Sequence, residues 1–167
     1  MANTFVKIQT VTVGTAVATI DFTSIPQTYT DLKIVISARG SVAALIENVL
    51  ISFNSTTTNF TARNLESNGV TVTSSTAVPR YAGIFNGSTS TASVFSNSEI
   101  YIPNYTSANY KSFSTDAVIE NNAASSGLLF VANLWSNTAA ITSVTLTAGS
   151  GNFSQYTSAT LYGIKSS

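Results

Sequence analysis

Glu99, Asp116 and Glu120 are the side chains in this sequence best placed to do chemistry. Glu99 lies in an alternating run that ends at Pro103. Asp116 and Glu120 lie in the run that follows Tyr110, so a hairpin would set the carboxylates on neighbouring strands. Two carboxyl groups ~5–9.5 Å apart suffice for glycoside hydrolysis, one as acid and the other as base or nucleophile. Nothing in the spacing converges them on a cleft, and separate solvated charges at strand edges are the expected arrangement. The sequence has no histidine and no cysteine, which removes the usual base of nucleophilic triads, the commonest zinc ligand and all thiol chemistry. No catalytic, metal-binding or cofactor-binding residue is assigned, and no enzymatic role is expected; a glycan-processing activity is the remote alternative.

Three weaker constellations complete the inventory. Asp21 and Asp31 flank the Ile25-Pro26 turn and could hold a cation, but turn capping explains them without one. Gly149-Ser-Gly151 has no phosphate-cradling pattern around it and reads as a bend. Tyr29, Tyr101, Tyr105, Tyr110 and Trp135 could stack on sugar rings, although tyrosine at strand ends more often packs. Five Asn-X-Ser/Thr sequons, at Asn54, Asn59, Asn86, Asn104 and Asn152, follow from a composition rich in those residues.

Charged residues are only 8% of the 167, about a third of the usual share of roughly 25%. Roughly three residues in ten are Ser or Thr, so hydroxyls and amides must supply most of the polar surface. Seven basic and seven acidic residues cancel. Lys7, Lys33, Arg39, Arg63, Arg80, Lys111 and Lys165 are never adjacent, which disfavours nucleic acid as a partner. A neutral surface also leaves self-association unopposed by charge repulsion. No apolar run approaches the ~20 residues of a membrane helix, and the start lacks the pattern of a signal peptide. The expected site of synthesis is a cytoplasm.

The elements that would position these residues are short strands. Ser98 to Phe113 organises the chain: Ile100 and Ile102 share one side, Glu99 and Tyr101 the other, and Pro103 ends the pairing because it has no N–H to donate. From Tyr110 a second run places Phe113, Ala117 and Ile119 opposite Ser112, Ser114 and Asp116. The same alternation recurs in about ten runs separated by Gly, Asn and Pro. Ser41 to Leu50 alone is ambiguous between a short helix and a loop entering a strand. Thr71 to Val78 is either a surface loop or an edge strand. The fold expected is all-β, an antiparallel jelly-roll-like β-sandwich with little or no helix. Residues 1–15 form an N-terminal arm or first strand, and residues 16–167 a single domain.

One run departs from the pattern of one wet face. In Leu128 to Trp135 both sides are apolar, with Leu128, Phe130, Ala132 and Leu134 on one and Leu129, Val131 and Trp135 on the other. Such a strand is covered twice, by its own chain or by a partner. Leu129, Val131 and Trp135, with Phe5, Val6 and Ile8 of the arm, are the expected interface residues.

Several phrases also occur in a fixed order: Phe22-Thr-Ser-Ile-Pro-Gln-Thr-Tyr-Thr-Asp-Leu32, Ile34-Val-Ile-Ser-Ala-Arg39, Ile51-Ser-Phe-Asn54, Ile100-Tyr-Ile-Pro-Asn-Tyr105, Trp135-Ser-Asn-Thr-Ala-Ala-Ile141 and Thr160-Leu-Tyr-Gly-Ile164. This succession resembles a β-sandwich domain of virion proteins of tailed bacteriophages, over roughly residues 17 to 165. The resemblance implies a structural protein that decorates (cements) a capsid surface, often as a homotrimer, with the major capsid protein or another virion protein as partner. A receptor-binding fibre tip that recognises a host glycan is the alternative. Decoration is expected over the fibre tip because no heptad run or repetitive shaft precedes the sandwich. Asn54 to Thr58, Ser67 to Val78 and Ser88 to Ser93 would be the variable loops of such a protein.

Overall fold

The computed structural model describes residues 4–77, 79–122 and 126–165. The described residues form twelve strands, most of them with alternating burial: β1 (Phe5–Thr12), β2 (Thr19–Phe22), β3 (Asp31–Ala38), β4 (Ile46–Phe53), β5 (Phe60–Ser67), β6 (Val72–Thr76), β7 (Tyr81–Asn86), β8 (Ser96–Ile102), β9 (Lys111–Ile119), β10 (Gly127–Trp135), β11 (Val144–Ala148) and β12 (Ser158–Ile164). There is no helix among the described residues. The ambiguous segment is irregular over 41–45 and then enters β4, whose Val49, Ile51 and Phe53 are needed in the core.

The strands form a β-sandwich of two unequal antiparallel sheets. The wide sheet has eight strands in the order β1-β12-β3-β8-β9-β10-β5-β6, and the narrow sheet four, β2-β11-β4-β7. Residues 5–12, expected as an arm or a first strand, are the first strand of their own sheet, paired with β12 from Phe5↔Ile164 to Thr12↔Ser158. The organising hairpin is present as β8 and β9, with Ile100 opposite Thr115 and Tyr101 opposite Ser114.

The core lies between the sheets, and aromatic rings clamp its middle. Phe53 of the narrow sheet meets Phe113 of β9 at 5.1 Å, Trp135 of β10 at 5.4 Å and Phe60 of β5 at 5.6 Å between ring centroids. A smaller cluster of Ala117, Ile119, Leu129 and Val131 receives β7, all six of whose residues are buried. Gly83 shows how closely β7 approaches. It adopts φ +135°, and a Cβ there would stand 2.9 Å from the Ser98 hydroxyl of the wide sheet.

Two cations that look like surface charges in the sequence act as internal pins. Lys111 is 1% exposed, and its ammonium donates to the carbonyls of Ser107 (2.7 Å), Asn109 (2.6 Å) and Asn137 (3.4 Å). Those three acceptors match its three N–H bonds, and Nζ also lies 5.8 Å from the Trp135 ring centroid. Burial pushes the Lys111 pKa below its ordinary value. Arg39 donates to the carbonyls of Ser88, Ser90, Thr91 and Val94 and so fastens the Ser88 to Ser93 loop to β3.

Replacing Lys111 with Met keeps the stem but orphans three carbonyls at the hairpin mouth. The expected loss is about 2–4 kcal/mol of unfolding free energy, measured by urea titration. A loss below ~0.5 kcal/mol would show that the pin is dispensable.

Candidate functional site: the outer face of the wide sheet

Because the narrow sheet has half as many strands, it cannot cover the whole wide sheet, and the β5-β6 end, next to β10, overhangs. β6 is exposed at all five positions. Register across this end builds three rows on the outer face. Glu99, Asp116, Phe130, Leu65 and Ser74 make the middle row. Asn97, Val118, Leu128, Ser67 and Val72 lie on one side of it, and Tyr101, Ser114, Ala132, Arg63 and Thr76 on the other.

The middle of this surface is apolar and open. Leu65 is 52% exposed, Phe130 54% and Leu128 58%, and Val118 and Val72 extend the patch on both sides. Between them runs a groove of about 320 Å³ whose wall also includes Asp116. Covering a Leu or Phe side chain contributes about 1.5–3 kcal/mol, so a partner seated here would gain several kcal/mol before its costs. Arg63 and Asp116 stand at opposite borders of the patch, and neither is in an ion pair. The Arg63 guanidinium donates only to the Ala62 carbonyl. The carboxyl of Asp116 is raised above its ordinary pKa by burial and then by Glu99, against an opposing pull from Lys33. The Lys33 ammonium is itself engaged, 2.6 Å from Glu99.

The expected interface residues lie elsewhere. Leu129, Val131 and Trp135 point into the chain's own core, at 4%, 0% and 0% exposure, so the open apolar face of β10 is the opposite one. The polar residue on their side, Asn133, is tolerated inside because its amide donates to the Tyr81 carbonyl at 3.0 Å. Phe5 is exposed on β1, while Val6 and Ile8 are half-buried. The two expected groups do not meet, since β12, β3, β8 and β9 separate β1 from β10.

The carboxylates are not gathered into a cleft either. Glu99 is opposite Asp116 rather than Glu120. Glu120 lies four residues beyond Asp116, about 13 Å along an extended chain, and accepts the Asn122 amide at 2.7 Å. Asp21 accepts the Thr145 and Thr19 hydroxyls, and Asp31 the Tyr101 hydroxyl and the Asn104 amide. No cluster of three or more metal-ligating side chains occurs among the described residues. Of the five aromatics considered for sugar stacking, Trp135 and Tyr105 are fully buried and Tyr29 is half-buried. The Tyr105 hydroxyl donates to the Pro26 carbonyl. Only Tyr101 and Tyr110 are exposed.

A second cavity, of about 340 Å³ and mixed lining, lies on the inner side of the overhang, with Glu66, Asn68, Thr73, Tyr81 and Ser126 in its wall beside Ile46, Ile84 and Leu128. The Glu66 carboxylate accepts from the Asn64 amide at 3.0 Å, and the Ser75 hydroxyl donates to Asn64 at 2.7 Å. Tyr81 is pushed up to about 12 by burial and then by the Glu66 charge. Its hydroxyl donates to Asn48 at 3.2 Å. Comparison with protein-family models, with curated proteins and with solved structures finds no match.

The Tyr81 phenol makes a pH prediction. A folded pKa above the unfolded value near 10 means stability that is complete below about pH 10 and lost as pH rises through about 12. The loss assignable to this group is about 2 kcal/mol. Tyr81→Phe is expected to cost about 1 kcal/mol at pH 8, for its bond to Asn48, and to be the more stable form by pH 12. Denaturant titrations of both proteins at the two pH values measure the crossover, and parallel curves would refute it.

Proposed function

We propose that this protein is a non-enzymatic structural component of a virion, acting on a capsid surface by protein–protein binding between copies and with the shell. One observation carries the reading. Leu65, Val72, Val118, Leu128 and Phe130, all exposed, are grouped on one sheet face, on a scaffold whose carboxylates are mostly tied down by neighbours. A patch of that kind suits a protein partner better than a small substrate. The capsid assignment, the shell protein as partner and the count of three copies rest on the resemblance of the ordered strand and turn phrases. The low charge of the surface fits a protein held at high local concentration.

The cavity under β5 and β6 favours a second reading, in which the protein belongs to a tail fibre and holds a host glycan. Its Glu66 carboxylate, Asn68 amide and hydroxyls are groups that bind sugar hydroxyls, although its one aromatic, Tyr81, is itself buried.

Location and copy number in purified particles separate the two. Quantitative mass spectrometry with immunogold labelling is expected to find hundreds of copies spread over the shell. A handful at the tail would replace decoration with host recognition, and absence from particles would remove both.

A further inference from the structure

We propose that the outer face of β9, β10 and β5 is occupied by the same face of a second copy of this chain, related by a twofold axis. The inference deepens the structural reading above, rests on its premise that this face is covered in the assembled protein, and puts a twofold contact in place of the three copies that the resemblance implies. Charge complementarity within a single patch selects this occupant. Arg63 on β5 and Asp116 on β9 flank β10 on opposite sides, one opposite Ala132 and the other opposite Phe130. Both are exposed and neither is in an ion pair.

A surface with one unpaired cation and one unpaired anion, separated by apolar side chains, is complementary to itself. A twofold axis lying in the contact plane and crossing β10 between Phe130 and Ala132 sets Arg63 of each copy opposite Asp116 of the other. With strands ~4.8 Å apart and a rise of ~3.3 Å per residue, the same rotation lays Leu65 of one copy near Phe130 of its mate. Two ion pairs and an apolar centre then form at once, which is the isologous arrangement. The local field agrees with this choice. Lys33 is bonded to Glu99, so Asp116 feels its pull only alongside that anion and has no contact ion pair of its own. A three-copy ring closes by head-to-tail contacts between different patches, which this self-matching surface does not supply.

Light scattering and sedimentation equilibrium on the full chain at low salt, up to about 100 µM, test the inference. The expected mass is twice the 17.5 kDa of the monomer. Arg63→Asp or Asp116→Arg alone should weaken association at least ~10-fold, because each places two like-charge contacts in the interface. The double exchange should restore it to within ~3-fold of the parent. Phe130→Ser should abolish association while circular dichroism and thermal midpoint stay unchanged, since this ring is more than half exposed. A monomer throughout the range overturns the inference, as does a threefold mass. So does a dimer that survives Phe130→Ser, or a double exchange that fails to rescue. Such results leave the virion reading standing, because that reading fails only on the particle measurement.

Discussion

A four-stranded sheet facing an eight-stranded one leaves the β5-β6 end of the wide sheet uncovered on its inner side, and the chain answers this by making that inner side polar. Where the two sheets face each other the sandwich is conventional, with Phe53 seated among Phe60, Phe113 and Trp135. β7 then closes the narrow sheet across β8, β9 and β10. Beyond it the wide sheet continues with β5 and β6, and the inner side of this extension turns polar through Asn64, Glu66 and Thr73. The outer side does not make the same change. Leu65, Leu128 and Phe130 remain apolar there, on strands whose inward residues are already satisfied by the core. Folding alone gives no reason to keep them so, because a solvated outer face is normally built from polar alternates.

Scarce charge is spent on local anchoring in this chain. Arg39 holds one loop through four carbonyls and Lys111 holds the hairpin mouth through three. Asp21 and Asp31 bind hydroxyls, so the polar surface around them consists mainly of Ser, Thr and Asn. Loops that look variable in the sequence are therefore fastened. Asn54 shows the same economy, its amide oxygen accepting the Thr142 and Ser143 amides while its nitrogen donates to the Ala140 carbonyl. With so many polar groups engaged inside the chain, Arg63, bonded only to the adjacent Ala62 carbonyl, and Asp116, in no ion pair, remain available to a partner.

The fold was legible because period-two alternation carries it. Most strands lie within or close to a run that alternates in the sequence, β6 (exposed throughout) and β7 (buried throughout) excepted, and the hairpin around Pro103 is where Ile100, Ile102 and Phe113 place it. The unequal widths were not legible, since alternation reports which residues share a face and not how many strands a sheet holds. For the same reason the doubly apolar β10 was recognisable, but not which side faced inward. Asn133, the polar member of the buried side, points to the wrong answer unless its bond to Tyr81 is known. Lys111 had a readable signal: it shares parity with Phe113 and Ile119, which places it on the inner face of β9. A lysine at an inward position implies local acceptors, and the carbonyls of the connection from Pro103 to Tyr110 are the nearest supply.

Leu128 ties the two candidate surfaces together. It borders both the apolar groove outside the wide sheet and the cavity inside it, because it lies near the end of β10 where the covering strand stops. A partner seated on the outer face would fix Leu128 and its neighbours Ser67 and Val118 without entering the inner cavity. The inner wall is shaped instead by Tyr81 and Ile84 of the narrow sheet, which a partner outside does not reach. Assembly through one side and ligand contact on the other are thus compatible in a single overhang. What couples them is the rigidity of β10, held by full antiparallel pairing with β9 and β5 and anchored at its far end by Trp135 in the aromatic clamp.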